Sequence, residues 1–333
     1  MGGESTDTPQ GVGHGGESRI HVPVLLKEAI DFLNVRRGGT YIDATVGLGG
    51  HSFEIAKRLG APGHLIGVDK DPAALKMART RLAPWLEKAG SSPVATPQTG
   101  NDKEWGDWPR ITLLNRSFAT LGNDLRPMTN DAVDGILADL GVSSLQLNDA
   151  ARGFSFQAEG PLDMRMDPHG ERTAEQVVNH LDERELADVI YEFGEERRSR
   201  RIARAIVRSR PIRSTAHLAQ VVSAAARPMN FEQRRIHPAT RTFQALRIFV
   251  NRELDDLRAL LDAAPRILKP GGRVVVISFH SLEDRIVKDA LREGEKKYRY
   301  FRVLTKKPVV ASDEESDRNP RARSAKLRAA EKV

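Results

Sequence analysis

The fold is decided by one stretch of the chain, Tyr41-Ile-Asp-Ala-Thr-Val-Gly-Leu-Gly-Gly-His-Ser52. Its apolar start predicts a buried strand, its glycines predict a tight turn, and the residues that follow, 53–59, predict a helix. Gly47, Gly49 and Gly50 allow the backbone to adopt positive φ and to approach a ligand closely. The amide groups at the start of the helix would then face that ligand.

A second strand is predicted at Leu65-Ile-Gly-Val-Asp69, about 20 residues beyond the turn. It ends in the carboxylate of Asp69, at the place where nucleotide-binding folds hold the hydroxyl groups of a ribose. The glycine turn and this carboxylate together predict a ligand that contains an adenosine.

Two classes of adenosine ligand fit this pattern. The dinucleotide fingerprint requires glycine or alanine where this chain has Ser52, which counts against an NAD-dependent oxidoreductase. The crowded Gly49-Gly50-His51 is more similar to the first motif of S-adenosylmethionine (SAM) methyltransferases, and Asp43 fits the acidic residue of that motif. Thr45 departs from it, because many such enzymes have glycine there.

The composition limits the kinds of reaction and metal site that are expected for the chain. The chain has 333 residues, is 39% hydrophobic, and contains no apolar run as long as a membrane span. Residues 1–19 are predicted to form a disordered tail and not a signal peptide, so we expect a cytoplasmic protein. The chain has no cysteine, which excludes thiolate metal sites, a cysteine nucleophile and a cysteine-held iron–sulfur cluster. We therefore expect no metal, and a nitrogen or oxygen as the methyl acceptor.

Alternating strands and helices continue through a third strand at Ile111-Thr-Leu-Leu114 and a fourth at Val133-Asp-Gly-Ile-Leu-Ala-Asp139, and they predict a mostly parallel sheet. Residues 143–240 contain no convincing long strand. Alternation resumes with a long amphipathic helix over 243–261 and the strand Arg273-Val-Val-Val-Ile-Ser-Phe279. The acidic stretch 313–317 is predicted to be a solvated loop.

The predicted fold is α/β, a Rossmann-like class I SAM-dependent methyltransferase sheet with an inserted, mainly helical domain. Its parts are the tail 1–19, a first methyltransferase part 20–145 with a surface insertion at 90–110, a helical RNA-recognition domain 146–240, and a second methyltransferase part 241–333.

The fourth strand ends at Asp139, the position that binds the acceptor nitrogen in enzymes that methylate amino groups. The exocyclic amine of cytosine is a poor nucleophile, because its lone pair is delocalised into the ring. A carboxylate that accepts hydrogen bonds from this amine localises the pair and aims it at the methyl group. Asp139 is therefore the candidate catalytic residue, although it could instead contact the cofactor or cap a following helix.

Four further residues at predicted element ends allow more than one interpretation. Phe118 could pack on an adenine ring or belong to the core, and His51 is interpreted as a helix-start residue beside the cofactor. Ser281 and Asp284 are predicted to form the capping box of a helix and not a metal site.

An arginine stripe is the most specific sign of a polyanionic partner. Net charge is +7, and the spacing of Arg197, Arg201, Arg204 and Arg208 places them on one face of a predicted helix. A one-sided stripe without interleaved acidic residues is typical of contacts to a phosphate backbone. The phenylalanines of Arg152-Gly-Phe-Ser-Phe156 could stack on an unpaired base, or pack in a core or lid.

Taken together, these segments resemble the bacterial 16S ribosomal RNA cytosine-N4 methyltransferase family, called RsmH or MraW. The resemblance covers nearly all of residues 21–332. It rests on the glycine turn with His51 and on these motifs: Asp139-Leu-Gly-Val-Ser-Ser144, Arg152-Gly-Phe-Ser-Phe156, Gly160-Pro-Leu-Asp-Met-Arg-Met-Asp167, Gly194-Glu-Glu-Arg197, His237-Pro-Ala-Thr-Arg-Thr-Phe-Gln244, Ser278-Phe-His-Ser-Leu-Glu-Asp-Arg285 and Asn319-Pro-Arg-Ala-Arg-Ser324.

The resemblance implies SAM-dependent methylation of a decoding-centre cytosine in 16S rRNA, within the 30S subunit or its late precursor. The cofactor residues it implies are Gly49, Gly50, His51, Asp69, Phe118, Asp139 and Gln146. Two alternatives stay open at this point: an NAD-dependent oxidoreductase, and a non-catalytic RNA-binding or ribosome-assembly protein built on a methyltransferase scaffold.

Overall fold

A computed structural model describes residues 23–86, 108–124, 132–226 and 237–333. The strands of this part are β1 Thr40–Asp43, β2 His64–Asp69, β3 Arg110–Asn115, β4 Val133–Asp139, β5 Leu268–Ser278, β6 Phe301–Val303 and β7 Lys326–Lys332. They form one sheet in the order β3-β2-β1-β4-β5-β7-β6. Strands β1 to β5 pair in parallel, whereas β7 runs antiparallel between β5 and β6.

Helices cover both faces of the sheet and build a separate cluster beside it. The α-helices of the described ranges are α1 Leu26–Leu33, α2 Gly50–Leu59, α3 Pro72–Leu86, α4 Leu121–Asp124, α5 Ser144–Asn148, α6 Ala174–His180, α7 Glu183–Gly194, α8 Ser199–Arg208, α9 Thr215–Ala225, α10 Thr240–Asn251, α11 Glu253–Ile267, α12 Ser281–Lys296 and α13 Asp313–Arg318. Short 3-10 helices span Phe118–Thr120, Ala150–Arg152 and Pro320–Ser324.

The register of the central strands brings three acidic residues to one edge of the sheet. Ile42 of β1 lies between Ile66 of β2 and Ile136 of β4, and all three side chains are fully buried. Such apolar strands are typical of a parallel sheet that is covered on both faces. Because the strands are parallel, their terminal residues Asp43, Asp69 and Asp139 lie at the same edge. The predicted α/β class and its five parallel strands are confirmed.

Between β4 and β5 the chain forms a helical unit, which consists of α6 to α10 and has its own apolar core. The core includes Ile190 of α7, Ile202 of α8, Leu218 of α9 and Phe243 of α10. The described residues from 143 to 240 contain no strand, as the sequence predicts. Because α10 packs into this core, the helical unit extends beyond residue 240, whereas the predicted inserted domain ends there. The domain limits themselves stay predictions.

The predicted long helix over 243–261 is wrong, because the chain breaks between α10 and α11. Arg252 adopts a left-handed backbone with φ 53°, and the carbonyl of Asn251 accepts a hydrogen bond from Lys70 Nζ at 2.9 Å. The side chain of Asn251 bonds to the carbonyl of Met164 at 2.7 Å and to the amide of Met166 at 2.7 Å. Tertiary partners therefore satisfy the groups that a continuous helix would have used.

Two other local predictions are wrong. The acidic stretch 313–317 is helical: Ser312 caps α13, and Glu315 accepts a hydrogen bond from the amide of Leu25 at 2.7 Å. The residue that caps α12 is His280 and not Ser281, and Glu283 completes its capping box. The predicted tail 1–19 and most of the predicted insertion 90–110 lie outside the described residues.

Candidate active site

The glycine turn is tied to the end of β2 by hydrogen bonds. Gly47, at φ 52°, donates its amide to Asp69 Oδ2 at 2.8 Å, and the other oxygen of Asp69 accepts the amide of Asp71 at 2.9 Å. Burial raises the pKa of Asp69 to about 6, although these two hydrogen bonds act in the opposite direction. The carboxylate thus orders the turn and still faces the cavity described below.

Gly49 and Gly50, which follow in the turn, allow neighbouring segments to pack closely against the backbone. A Cβ atom on Gly49 would lie 3.2 Å from the Cα of Ala78 in α3, and one on Gly50 would lie 2.2 Å from Cγ of Pro23. Gly50 lines the cavity, whereas Gly49 is the left-handed residue, φ 75°, from which α2 begins. The structure therefore places Gly49 against α3 and not on the cavity wall.

A cavity opens at the carboxyl edge of the sheet, above β1, β2 and β4. Six of the seven residues predicted to bind the cofactor contribute to its wall: Gly50, His51, Asp69, Phe118, Asp139 and Gln146. They come from α2, the end of β2, the 3-10 helix after β3, the end of β4, and α5. The fold thus assembles in one place residues that lie far apart in the chain.

Asp139 projects from the end of β4 into this cavity. Its amide donates to Thr45 Oγ1 at 2.6 Å, so the hydroxyl of Thr45 connects β1 to β4. The Oδ2 atom lies 3.7 Å from Nδ1 of His51, whereas Oδ1 is buried without a hydrogen-bond partner among the described residues. The helix that follows, α5, is capped by Ser143, which excludes the interpretation of Asp139 as a helix cap.

The electrostatic surroundings of Asp139 favour its protonated form. Burial raises its pKa to about 7, with Arg321 opposing and Asp43 and Glu283 adding to the rise. A carboxyl with a pKa near neutrality can both accept and release a proton at physiological pH.

Ser52, the residue that breaks the dinucleotide fingerprint, has a partner of its own. Its hydroxyl donates to Asp43 Oδ2 at 2.5 Å, and Asp43 Oδ1 accepts the amide of Thr45 at 3.2 Å. Asp43 is 1% exposed, and burial raises its pKa to about 6. A glycine at position 52 would leave this buried carboxyl with one partner fewer.

Sequence reasoning did not assign Arg321 and Glu283 to the site, although both line the cavity. Arg321 lies in the 3-10 helix Pro320–Ser324, donates to the carbonyl of Val142, and has its guanidinium 6.0 Å from the centre of the Phe279 ring. Glu283 accepts the amides of Phe279 and His280 at 2.8 and 3.3 Å. Its pKa is held below the usual value by His280 and Arg247 despite its burial.

A buried polar network joins the cavity to the chain segment that leads into the helical unit. Gln146 Nε2 and Arg152 Nη1 both donate to Asp71 Oδ2 at 2.8 Å. The other terminal nitrogen of Arg152 donates to the carbonyls of Arg165 and Met166 at 2.9 and 3.0 Å. Met166 also lines the cavity. The residues after β2 and the segment 163–167 are therefore held by the same guanidinium.

The two phenylalanines of the 152–156 segment pack within the protein. Phe154 is 6% exposed and belongs to the core of the helical unit. The ring of Phe156 stacks on His237 at 4.5 Å and meets Phe243 edge-on at 4.9 Å, measured between ring centres. The interpretation of these residues as packing side chains is therefore favoured over base stacking.

The predicted arginine stripe is exposed but is not a single helical face. Arg201, Arg204 and Arg208 point outward from α8, while Ile202, Ala203 and Ile206 are buried beneath them. Arg197 is exposed but precedes the helix, which begins at Ser199. Glu183 of α7 pairs with Arg204 at 3.1 Å, so an acidic residue from a neighbouring helix interrupts the positive surface.

A second cleft adjoins the cavity where the sheet meets the helical unit. Lys70 and Asp256 form an ion pair and line both openings. The wall of the second cleft also carries Arg116, Arg172 and Phe249. The guanidinium of Arg172 lies 5.9 Å from the centre of the Phe249 ring. The cleft thus combines cationic and aromatic surface next to the cavity.

Two other kinds of site do not occur within the described ranges. Groups of three or more His, Cys, Asp or Glu side chains in metal-binding arrangement do not occur there. Helices of sufficient length and apolarity to cross a membrane are likewise absent from those ranges.

Five parallel strands, an antiparallel β7 between β5 and β6, and a cavity above the acidic ends of β1, β2 and β4 define a class I SAM-dependent methyltransferase. The model of the MraW methylase family matches residues 18–333, and the chain belongs to that family. The NAD-dependent oxidoreductase alternative is therefore wrong, and the chain is an enzyme that uses SAM.

The curated relatives match nearly the full chain. One is the ribosomal RNA small subunit methyltransferase H of Koribacter versatilis, 66% identical over 331 residues, which are 99% of each chain. Another is the protein of the same name from Acidobacterium capsulatum, 60% identical over 316 residues, which are 95% of this chain and 99% of that one. The protein of that name from Solibacter usitatus is 50% identical over 313 residues, 94% of this chain and 99% of the relative.

Proposed function

We propose that this enzyme transfers the methyl group of SAM to the exocyclic N4 atom of a decoding-centre cytosine in 16S rRNA of the small ribosomal subunit. The names of the relatives support small-subunit rRNA as the substrate. The resemblance of the motifs to the cytosine-N4 methyltransferase family supports cytosine as the methylated base and the decoding centre as its location. The observation that carries the chemistry is that Asp139 lines the cavity with a carboxyl group whose buried Oδ1 atom has no partner among the described residues.

Asp139 is proposed to bind the amine of the target base. The ionised carboxylate accepts an N–H of the amine, which localises the nitrogen lone pair and aims it at the methyl carbon. Positioning of this kind contributes on the order of 7–11 kcal/mol in favourable cases. When bound, SAM supplies an electrophilic methyl group on a positively charged sulfur.

The cavity wall fits that cofactor. Asp69 is proposed to accept the ribose hydroxyls, and Phe118 to lie against the adenine ring, because both line the cavity next to the glycine turn. Gly50 and His51 bring the start of α2 to the cavity, so their backbone is proposed to face the amino-acid part of the cofactor. Gln146 is proposed to contact the cofactor from the same wall, while its side-chain amide donates a hydrogen bond to Asp71.

The helical unit is proposed to hold the RNA. Arg197, Arg201, Arg204 and Arg208 are exposed and are proposed to contact phosphates. The substrate we propose is the 30S subunit or its late precursor in the cytoplasm.

A transfer assay tests this function. Labelled SAM and 30S particles that lack the modification are incubated with the enzyme, and the methylated base is located by mass spectrometry. We expect label on N4 of a single decoding-centre cytosine, and none with Asp139→Ala. Label on another base, or on N4 at an equal rate with Asp139→Ala, would overturn the proposal.

A further inference from the structure

We propose that His51 is the positioning residue for Asp139 and the group that takes up the proton released from N4. This inference rests on the proposed function and deepens it, because it assigns the final proton acceptor within the enzyme.

The orientation of His51 is fixed by the backbone of the chain. Its side chain is 5% exposed at the start of α2, and Nε2 lies 3.2 Å from the carbonyl oxygen of Val24. A carbonyl oxygen only accepts hydrogen bonds, so Nε2 must carry the hydrogen. This leaves Nδ1 as the basic nitrogen, and Nδ1 is the atom that lies 3.7 Å from Oδ2 of Asp139.

The geometry favours a proton on this pair. When Asp139 is ionised and His51 is neutral, an imidazole nitrogen without a hydrogen lies 3.7 Å from a carboxylate oxygen, which is unfavourable in a buried place. Protonation of Nδ1 converts this contact into an attraction between an imidazolium and a carboxylate. Because two coupled groups share the proton, it belongs to the pair and not to one residue.

The charges balance through the transfer. The bond between the methyl carbon and sulfur breaks as the bond to N4 forms, and the positive charge passes from sulfur to the base. An N–H bond then breaks, and its proton moves to the carboxylate of Asp139. The carboxyl group then passes a proton to Nδ1 of His51, which lies 3.7 Å from Oδ2. The positive charge lost by sulfur thus reappears on the imidazole, and the net charge of the cavity is unchanged.

The other ionisable groups that the structure describes next to the pair do not fit this role. Asp43 of β1 is occupied by the Ser52 hydroxyl and the Thr45 amide, and Glu283 of α12 by two backbone amides. Arg321 faces Asp139 as a cation and favours its ionised form. Among the described residues, Asp139 and His51 both line the cavity, and the buried Oδ1 atom of Asp139 has no hydrogen-bond partner.

The first test is the titration of His51 itself, which requires neither substrate nor turnover. The imidazole signals of the ligand-free protein are followed by NMR against pH and assigned by comparison with His51→Gln. We expect the midpoint for His51 to lie at higher pH in the wild type than in Asp139→Asn, because the carboxylate stabilises the imidazolium. Equal midpoints in the two proteins would overturn the inference.

The second test is the pH dependence of single-turnover methyl transfer. His51→Gln keeps an amide donor for the Val24 carbonyl but removes the base. We expect the rate to fall on the order of 100-fold and its dependence on pH to change, with SAM affinity retained. The matched control is His64→Gln, another buried histidine, which bonds to Thr112 at 2.9 Å at the start of β2. A wild-type rate and pH profile in His51→Gln would overturn the inference.

The two proposals fail in different ways. A wild-type product other than N4-methylcytosine refutes the proposed function. The expected product, formed by His51→Gln at the wild-type rate, refutes only the role of His51.

Discussion

The hydroxyl of Ser52 donates to the buried carboxyl of Asp43 across 2.5 Å. This bond joins the start of α2 to the end of β1 directly beneath the glycine turn. The residue that departs from the dinucleotide fingerprint therefore stabilises the turn that is proposed to bind the cofactor.

Removal of this bond is expected to destabilise the protein. Ser52→Ala leaves one oxygen of Asp43 without its partner, and an unsatisfied buried polar group costs about 1–3 kcal/mol. Urea denaturation measures the loss in the free energy of unfolding. Thr80→Ala is the control, because Thr80 bonds to a carbonyl on the exposed side of α3. Equal losses of unfolding free energy in the two variants would show that the bond from Ser52 to Asp43 contributes no more than an exposed hydrogen bond.

Ionisation of Asp139 is expected to lower the stability of the ligand-free protein as the pH rises from about 4 to about 7. Burial raises the pKa of Asp139 from 3.8 to about 7, so the folded protein binds more protons in this range than the unfolded chain does. The stabilising contribution is complete below the unfolded pKa and is lost as the pH rises through the folded one. Asp139→Asn should flatten this dependence, whereas Asp31→Asn, on the exposed side of α1, should leave it unchanged. Parallel curves for wild type and Asp139→Asn would contradict the expectation.

Asp69→Ala is expected to weaken SAM binding by roughly 1–3 kcal/mol, measured by calorimetry, because the ribose hydroxyls lose their acceptor. The same carboxylate holds the amides of Gly47 and Asp71, so thermal unfolding without SAM must be measured in parallel. Asp31→Ala serves as the surface control. Unchanged affinity in Asp69→Ala would remove the ribose assignment.

Charge reversal on α8 is expected to weaken RNA binding and to flatten its dependence on salt. Each phosphate contact that is lost lowers the slope of log K against log salt concentration by about 0.7–0.9. Arg201→Glu should weaken RNA binding more than Arg204→Glu does, because Arg204 already pairs with Glu183. Arg58→Glu, on α2 in the sheet domain, is the control. A slope that does not change would show that the stripe faces away from the RNA.

The central sheet and most of the cavity could be predicted because they depend on local patterns. Each of β1, β2 and β4 is an apolar run that ends in an acidic residue, and glycines mark the turn after β1. The parallel arrangement of such strands then places their carboxylates at one edge without further information.

The remaining features depend on contacts between distant parts of the chain. The strand β7 contains Lys326, Arg328 and Lys332 among small residues, so its sequence lacks a strand pattern, yet it pairs with β5 along six residues. The apolar spacing continues across Arg252, where partners from elsewhere break the helix. Arg321 reaches the cavity only because the chain folds back after β6.

The strand order has a consequence for biosynthesis. β7 leaves the ribosome after β6 but lies between β5 and β6, so β6 has no neighbour in the sheet until β7 has been made. The same late segment carries Arg321 into the cavity. A growing polypeptide therefore cannot complete the wall of this cavity before the segment that follows β6 has been made and has docked.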